Sequence, residues 1–165
     1  MPAAVSNSSP LIHLARIGRL GLLHSLFSPL TIPGAVHREV VSEGRDRPGA
    51  SEVARAVADG WLTVALVADS PGLQQLRAAL DEGEAEAIQL ALQLQPDRVL
   101  LDEAPARRQA ERLGLKVTGT LGVLLRAKQT GLLPSVAAEL PRLQTEGGFH
   151  IAPKFVAQIL SAAGE

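Results

Sequence analysis

Four oxygen-bearing side chains stand where this sequence can assemble chemistry: Asn7, Glu39, Glu84 and Asp102. Asn7 and Asp102 each leave a short apolar run, Ala3-Ala4-Val5-Ser6 and Arg98-Val99-Leu100-Leu101, that reads as a β-strand. Ligands of open parallel sheets gather at the carboxyl ends of strands, so the residues leaving each strand are the ones to inspect. Glu84 shares a helical face with Ile88 and Ala91 and is expected to point inward, whereas Glu86 aligns with Gln89 and Gln93 on the wet face. Glu39 follows Ala35 and Val36 at the margin of a buried stripe. An inward carboxylate is costly unless paired or bound to a cation, so acids converging at one sheet edge predict a metal site. Only oxygen ligands are offered, which points to Mg²⁺ or Mn²⁺.

Each of these residues also has an ordinary use. Asp102 can cap the helix that carries Pro105 in its first turn, and Glu84 can be a first-turn acid favoured by the helix dipole. Asn7 and Ser8 are good N-cap residues, and Glu39 can pair on the surface with Arg38. The histidines His13, His24, His37 and His150 show no paired-ligand spacing, so surface or partly buried roles are expected of them. Ser8 and Ser9 lie outside any Gly-x-Ser-x-Gly elbow, and no glycine-rich phosphate loop follows the first strand. No acidic pair follows that strand either, which disfavours a phospho-acceptor receiver.

The elements that must position these residues alternate. After the first strand, Pro10 suits the first turn of a helix that Gly18 ends, and a short helix over Leu20 to Leu26 follows. Leu30-Thr31-Ile32 reads as a second strand, followed by a helix through Val36 and Val41, a loop over Ser42 to Gly49, and a helix from Ala50 to Asp59. Trp61 to Val64 is a third strand, then Leu73 to Leu80 and Glu84 to Leu94 are helices. Arg98 to Leu101 and Lys116 to Gly119 are strands, each feeding a helix. This alternation predicts an α/β fold, a central parallel sheet of about four or five strands with helices on both faces. Ser135 to Ala163 reads as helical throughout, broken at Gly147-Gly148 and Pro153. We expect one domain over 1–165, with 135–165 a helical extension packed on it. The apolar residues Ile151, Phe155, Val156, Ile159 and Leu160 either cover the core or form a homodimer contact.

Composition narrows the function classes. The chain of 165 residues contains no cysteine, which excludes disulfides, thiolate metal sites and a cysteine nucleophile and suits a reducing cytoplasm. Its apolar runs are too short to cross a bilayer, so no membrane partner is expected. A net charge of −1 gives no global basic field, and with 2% aromatic residues there is no stacking platform of the usual RNA-binding modules. Contact with RNA would have to be local and made through charge.

Five blocks in order carry a family likeness. They are Ala4-Val-Ser-Asn7-Ser-Ser-Pro, Ile32-Pro33 with Glu39 in Val36-His-Arg-Glu-Val-Val41, Asp81-Glu-Gly-Glu84-Ala-Glu-Ala-Ile88, Leu100-Leu-Asp102-Glu-Ala-Pro-Ala-Arg-Arg108, and Gly119-Thr120-Leu-Gly-Val. Over about Val5 to Thr130 the chain resembles the PIN-domain family, most closely an uncharacterised prokaryotic branch related to toxin–antitoxin ribonucleases. The resemblance implies a single PIN-like domain and a metal-dependent endoribonuclease, in many relatives the toxin of a pair whose partner is an antitoxin protein. It implies Glu39, Glu84 and Asp102 as catalytic metal ligands, directly or through water, with Asn7 and Glu103 completing the site. Ser8 and Thr120 would be supporting hydroxyls, and Arg107 and Arg108 would contact RNA phosphates. PIN enzymes usually carry Asp where this chain has Asn7. An amide offers an oxygen without negative charge, so the alternative implied is a weak or inactive module that binds nucleic acid or protein.

Overall fold

The computed structural model describes residues 1–165. Five strands, β1 (Ala4–Ser6), β2 (Leu30–Pro33), β3 (Leu62–Ala65), β4 (Arg98–Leu100) and β5 (Val117–Thr118), form one sheet in the order β3-β2-β1-β4-β5. All pairs are parallel, with Val5 opposite Thr31 on one side and Val99 on the other. The expected α/β architecture is therefore the one observed.

Central strands of such a sheet are covered on both faces and read as continuous apolar runs. Successive residues still alternate sides: Ala4 and Leu100 enter one core, while Val5, Val99 and Leu101 enter the other. The larger core packs α1 (Ser8–Arg16), α2 (Gly21–Leu26), α4 (Ala50–Ala58) and α8 (Thr120–Gln129) on one face. The smaller packs α5 (Pro71–Arg77), α6 (Glu82–Leu94) and α7 (Ala104–Arg112) on the other. Between them α3 (Gly34–His37) runs without a break into a π-helical turn, Arg38–Ser42, that carries Glu39.

The C-terminal stretch breaks at Gly147-Gly148 and before Pro153 as expected, but residues 135–139, read as helical, form turns. It holds two helices, α9 (Leu140–Thr145) and α10 (Pro153–Ala162), separated by a non-helical stretch around Gly147, Gly148 and the residues before Pro153. Val136, Leu140, Leu143, Ile151 and Ala163 are buried in the larger core, and Val156, Ile159 and Leu160 lean on it. The third strand begins at Leu62, one residue later than expected. No helix is long and apolar enough to cross a membrane.

Candidate functional site

Strand order reverses at β1, since β2 lies on one side of it and β4 on the other. The crevice at the carboxyl ends of β1 and β4 is thus the topological switch point, where doubly wound sheets bind ligands. Asn7 and Asp102 leave those two strands, and the Asn7 backbone N–H donates to Leu100 O at 3.0 Å.

Asn7 occupies the N-cap position of α1 with extended backbone (φ −82°, ψ 176°), yet its side chain makes no capping hydrogen bond. Its Oδ1 is instead buried with no donor, in a residue only 3% exposed. A buried acceptor without a partner is rare and destabilising, so the cap has been given up for something else. The reason lies at Gly83. A Cβ on that residue would stand 3.1 Å from Asn7 Oδ1 and 3.0 Å from Glu39 Oε2. The two oxygens flank a space that is open only because residue 83 has no side chain. Glu39 reaches it from the exposed π-turn, and Ser8 Oγ donates to its Oε2 at 2.8 Å. Turns of this kind occur often at functional sites.

Glu84 follows Gly83 and is 7% exposed. It is the third residue of a capping box: Asp81 Oδ1 accepts from the Glu84 N–H at 2.8 Å, and Glu84 Oε1 accepts from the Asp81 N–H at 3.2 Å. Burial pushes its carboxyl up to about 7, and the Asp81 and Glu103 charges add to the rise while the Asp81 N–H opposes it. The ordinary reading of Glu84 as a first-turn acid is thus realised, at an inward position.

Asp102 is held from several sides. Its Oδ1 accepts from the Thr120 N–H at 2.7 Å, and its Oδ2 accepts from Thr120 Oγ1 at 2.7 Å. His13 Nδ1 lies 2.8 Å from the same Oδ2. Its side chain does not cap α7, which starts after Glu103 with no side-chain cap, and takes the first N–H of α8 instead. Gly119 makes this packing possible, because a Cβ there would lie 3.0 Å from Asp102 Oδ1 and 2.7 Å from an Arg107 nitrogen. That nitrogen donates to Leu101 O at 2.8 Å, so Arg107 is partly engaged by backbone while Arg108 is exposed. Glu103 is exposed beside Ser9, whose Oγ donates to it at 3.3 Å.

Asn7, Ser8, Glu39 and Gly83 therefore meet directly, and Asp102, Thr120, Arg107 and His13 form a second knot at the neighbouring strand end. Glu84 and Glu103 lie close enough to feel one another's charge. In this arrangement no three His, Asp or Glu side chains are set to hold one metal ion. The pair that does suit a hard divalent cation is Asn7 Oδ1 with Glu39 Oε2, an orphan acceptor and a carboxylate around a cradle that a Cβ would fill.

Sequence reasoning missed three participants. His13 had no partner at metal-ligand spacing, although it sits one turn beyond Ser9 on the helix that leaves β1. Gly83 and Gly119 act by lacking a side chain, and both stood inside the blocks quoted above. Glu86 is a correction: it is 7% exposed rather than on a wet face, and its Oε1 accepts from the Ala35 N–H at 3.2 Å.

The fold has known relatives. The DUF3368 family model, described as a PIN domain, matches residues 3–165. A PilT N-terminus domain protein from the hyperthermophilic archaeon Sulfolobus solfataricus has a similar structure, with 19% identity, a TM-score of 0.56, and coverage of 75% of this chain and 92% of that one. A domain of a functionally unknown protein from Methanocaldococcus jannaschii is 15% identical, covers 72% of this chain and 91% of that one, and has a TM-score of 0.47. No curated protein matches the sequence.

Proposed function

The chain belongs to the PIN-domain family, which commonly includes nucleases, and from that premise we propose that it is a Mg²⁺- or Mn²⁺-dependent endoribonuclease acting at the β1/β4 crevice. The observation that carries this reading is Asn7 Oδ1, buried, unpartnered and next to Glu39 Oε2 across Gly83. A divalent ion bound there would activate water and neutralise charge at a phosphodiester.

The chain's own residues do the rest. Asn7 and Glu39 would hold the ion, with Ser8 fixing the Glu39 carboxylate by its hydroxyl. Thr120 and His13 keep the Asp102 carboxylate at the crevice, Glu103 adds negative charge next to it, and Glu84 adds its own only as it ionises through about 7. Arg107 and Arg108, on the helix after Asp102, face phosphate groups of the RNA.

A second reading has its own support. Asn7 contributes no charge, and the Asp102 carboxylate is already satisfied by Thr120 and His13. Both features suit a weakly catalytic or inactive binding module. One set of proteins separates the two: the natural chain, Glu39→Gln, Asp102→Asn and Asn7→Asp, assayed for Mn²⁺-dependent cleavage of single-stranded RNA and for Mn²⁺ binding by calorimetry. The nuclease reading expects cleavage by the natural chain, about a hundredfold less in the first two variants, and tighter Mn²⁺ binding in Asn7→Asp. Cleavage undiminished in both Glu39→Gln and Asp102→Asn would overturn it. A natural chain that cleaves nothing, with Asn7→Asp gaining activity, would establish the second reading.

A further inference from the structure

A cleft of about 890 Å³ opens from the Asp102–Thr120 end of the site and runs between α7, β5 and α8 on one wall and residues 149–152 with α10 on the other. Its size falls in the range of small-molecule sites, which are mostly apolar with a few placed polar groups. Leu121, Ile151 and Ile159 supply the apolar surface. Arg108, Glu111 and Gln158 supply cation, acceptor and amide.

Two of the three phenylalanines in the chain, Phe149 and Phe155, line this one cleft. Phe149 has a structural use: it packs edge-on against His13 at 4.8 Å between ring centres, and His13 in turn touches Asp102. Phe155 has none in the core, for Val156, Ile159 and Leu160 already cover it while Phe155 stays 47% exposed. The Lys154 ammonium sits 5.1 Å from the centre of that ring. An exposed aromatic ring beside a cation, in a cleft that opens at the Asp102–Thr120 end of the site, is an arrangement on which unpaired bases stack.

We propose that this cleft is a nucleobase subsite, in which a base flanking the phosphate at the Asn7–Glu39 pair stacks on Phe155 while Glu111 and Gln158 meet its polar edge. The subsite rests on the reading of the chain as acting on RNA, but it concerns base recognition and not cleavage. A phosphate alone would leave the apolar wall unused and would meet Glu111 as a like charge. One unstacked base fits both halves of the cleft.

The test measures binding, by fluorescence anisotropy in EDTA, of a short labelled oligoribonucleotide and of versions in which a single abasic sugar is moved along the strand. The natural chain should bind the intact strand about tenfold more tightly than one abasic version. Phe155→Ala should lose that preference, and Phe155→Trp should keep it. Because Phe155 is half exposed and outside the core, thermal melting of both variants should match that of the natural chain. The same proteins are then assayed for Mn²⁺-dependent cleavage. Cleavage with no base preference, or a preference that survives Phe155→Ala, sinks the subsite and leaves the nuclease reading standing. A Phe155-dependent preference without cleavage supports the subsite and sinks the nuclease reading. Absence of any binding removes the subsite, and absence of Mn²⁺-dependent cleavage as well removes both.

Discussion

At the scale of single residues, the site depends on an atom that is missing. Gly83 lies in the first turn of α6, where a Cβ would ordinarily favour the helix by about 0.5–1 kcal/mol. Here it would come within 3.1 Å of Asn7 Oδ1 and 3.0 Å of Glu39 Oε2. Glu39 sits on an exposed turn and can withdraw by a few tenths of an ångström, whereas Asn7 is buried and cannot. Gly83→Ala should therefore leave urea-unfolding stability within about 1 kcal/mol of the natural chain, while calorimetric Mn²⁺ binding disappears. Retained Mn²⁺ affinity would place the ion elsewhere. Asn7 and Asp102 were legible because a polar residue ending an apolar strand run is itself a signal. Gly83, Gly119 and His13 were not, because a space and a lone imidazole leave no periodicity to read.

At the scale of elements, α6 shows where face arguments stop working. The run from Gly83 to Ile88 is buried without interruption, because α6 packs on the sheet, on α3 and on α5 at once. A helix covered on most sides has no wet stripe, so the spacing that set Glu86 beside Gln89 could not reveal its burial. The same helix makes a pH prediction. Burial raises the Glu84 carboxyl to about 7, and burial together with the Glu82 carboxyl raises that of Glu86. Both groups hold protons more readily folded than unfolded, so the contribution of each to stability is whole below the unfolded value of 4.5 and is lost as pH rises, for Glu84 through about 7. For the metal-free protein, the difference in unfolding free energy between Glu84→Gln and the natural chain should grow in favour of the variant between pH 5 and 8, roughly the titration window. Unfolding curves at several pH values read this directly. A difference that stays constant with pH would mean Glu84 is ionised throughout.

At the scale of the molecule, two cores share one sheet, and the C-terminal stretch is woven into the larger core. Leu143 is fully buried in the cluster that also holds Leu11 and Leu14 of α1. Glu139, 3% exposed, accepts from Arg19 at 3.0 and 2.6 Å and from Arg142 at 3.1 Å, and Arg16 donates to Gly147 O at 3.0 Å. These contacts fix α1, the helix whose first turn carries Ser8 and whose next turn carries His13. A truncation inside this core should therefore be felt by the whole chain. Leu143→Ala removes buried methyl groups and leaves a cavity, at a cost of about 2–5 kcal/mol. The single tryptophan, Trp61, stacks on His24 just before β3 and reports on the far edge of the sheet. If the chain unfolds as one unit, urea curves followed by Trp61 fluorescence and by circular dichroism should move together in Leu143→Ala. A Trp61 curve that stays in place, with helical signal lost early, would mean the stretch after Thr130 unfolds by itself. His13 would then lose the Phe149 ring that packs against it before the sheet had opened at all.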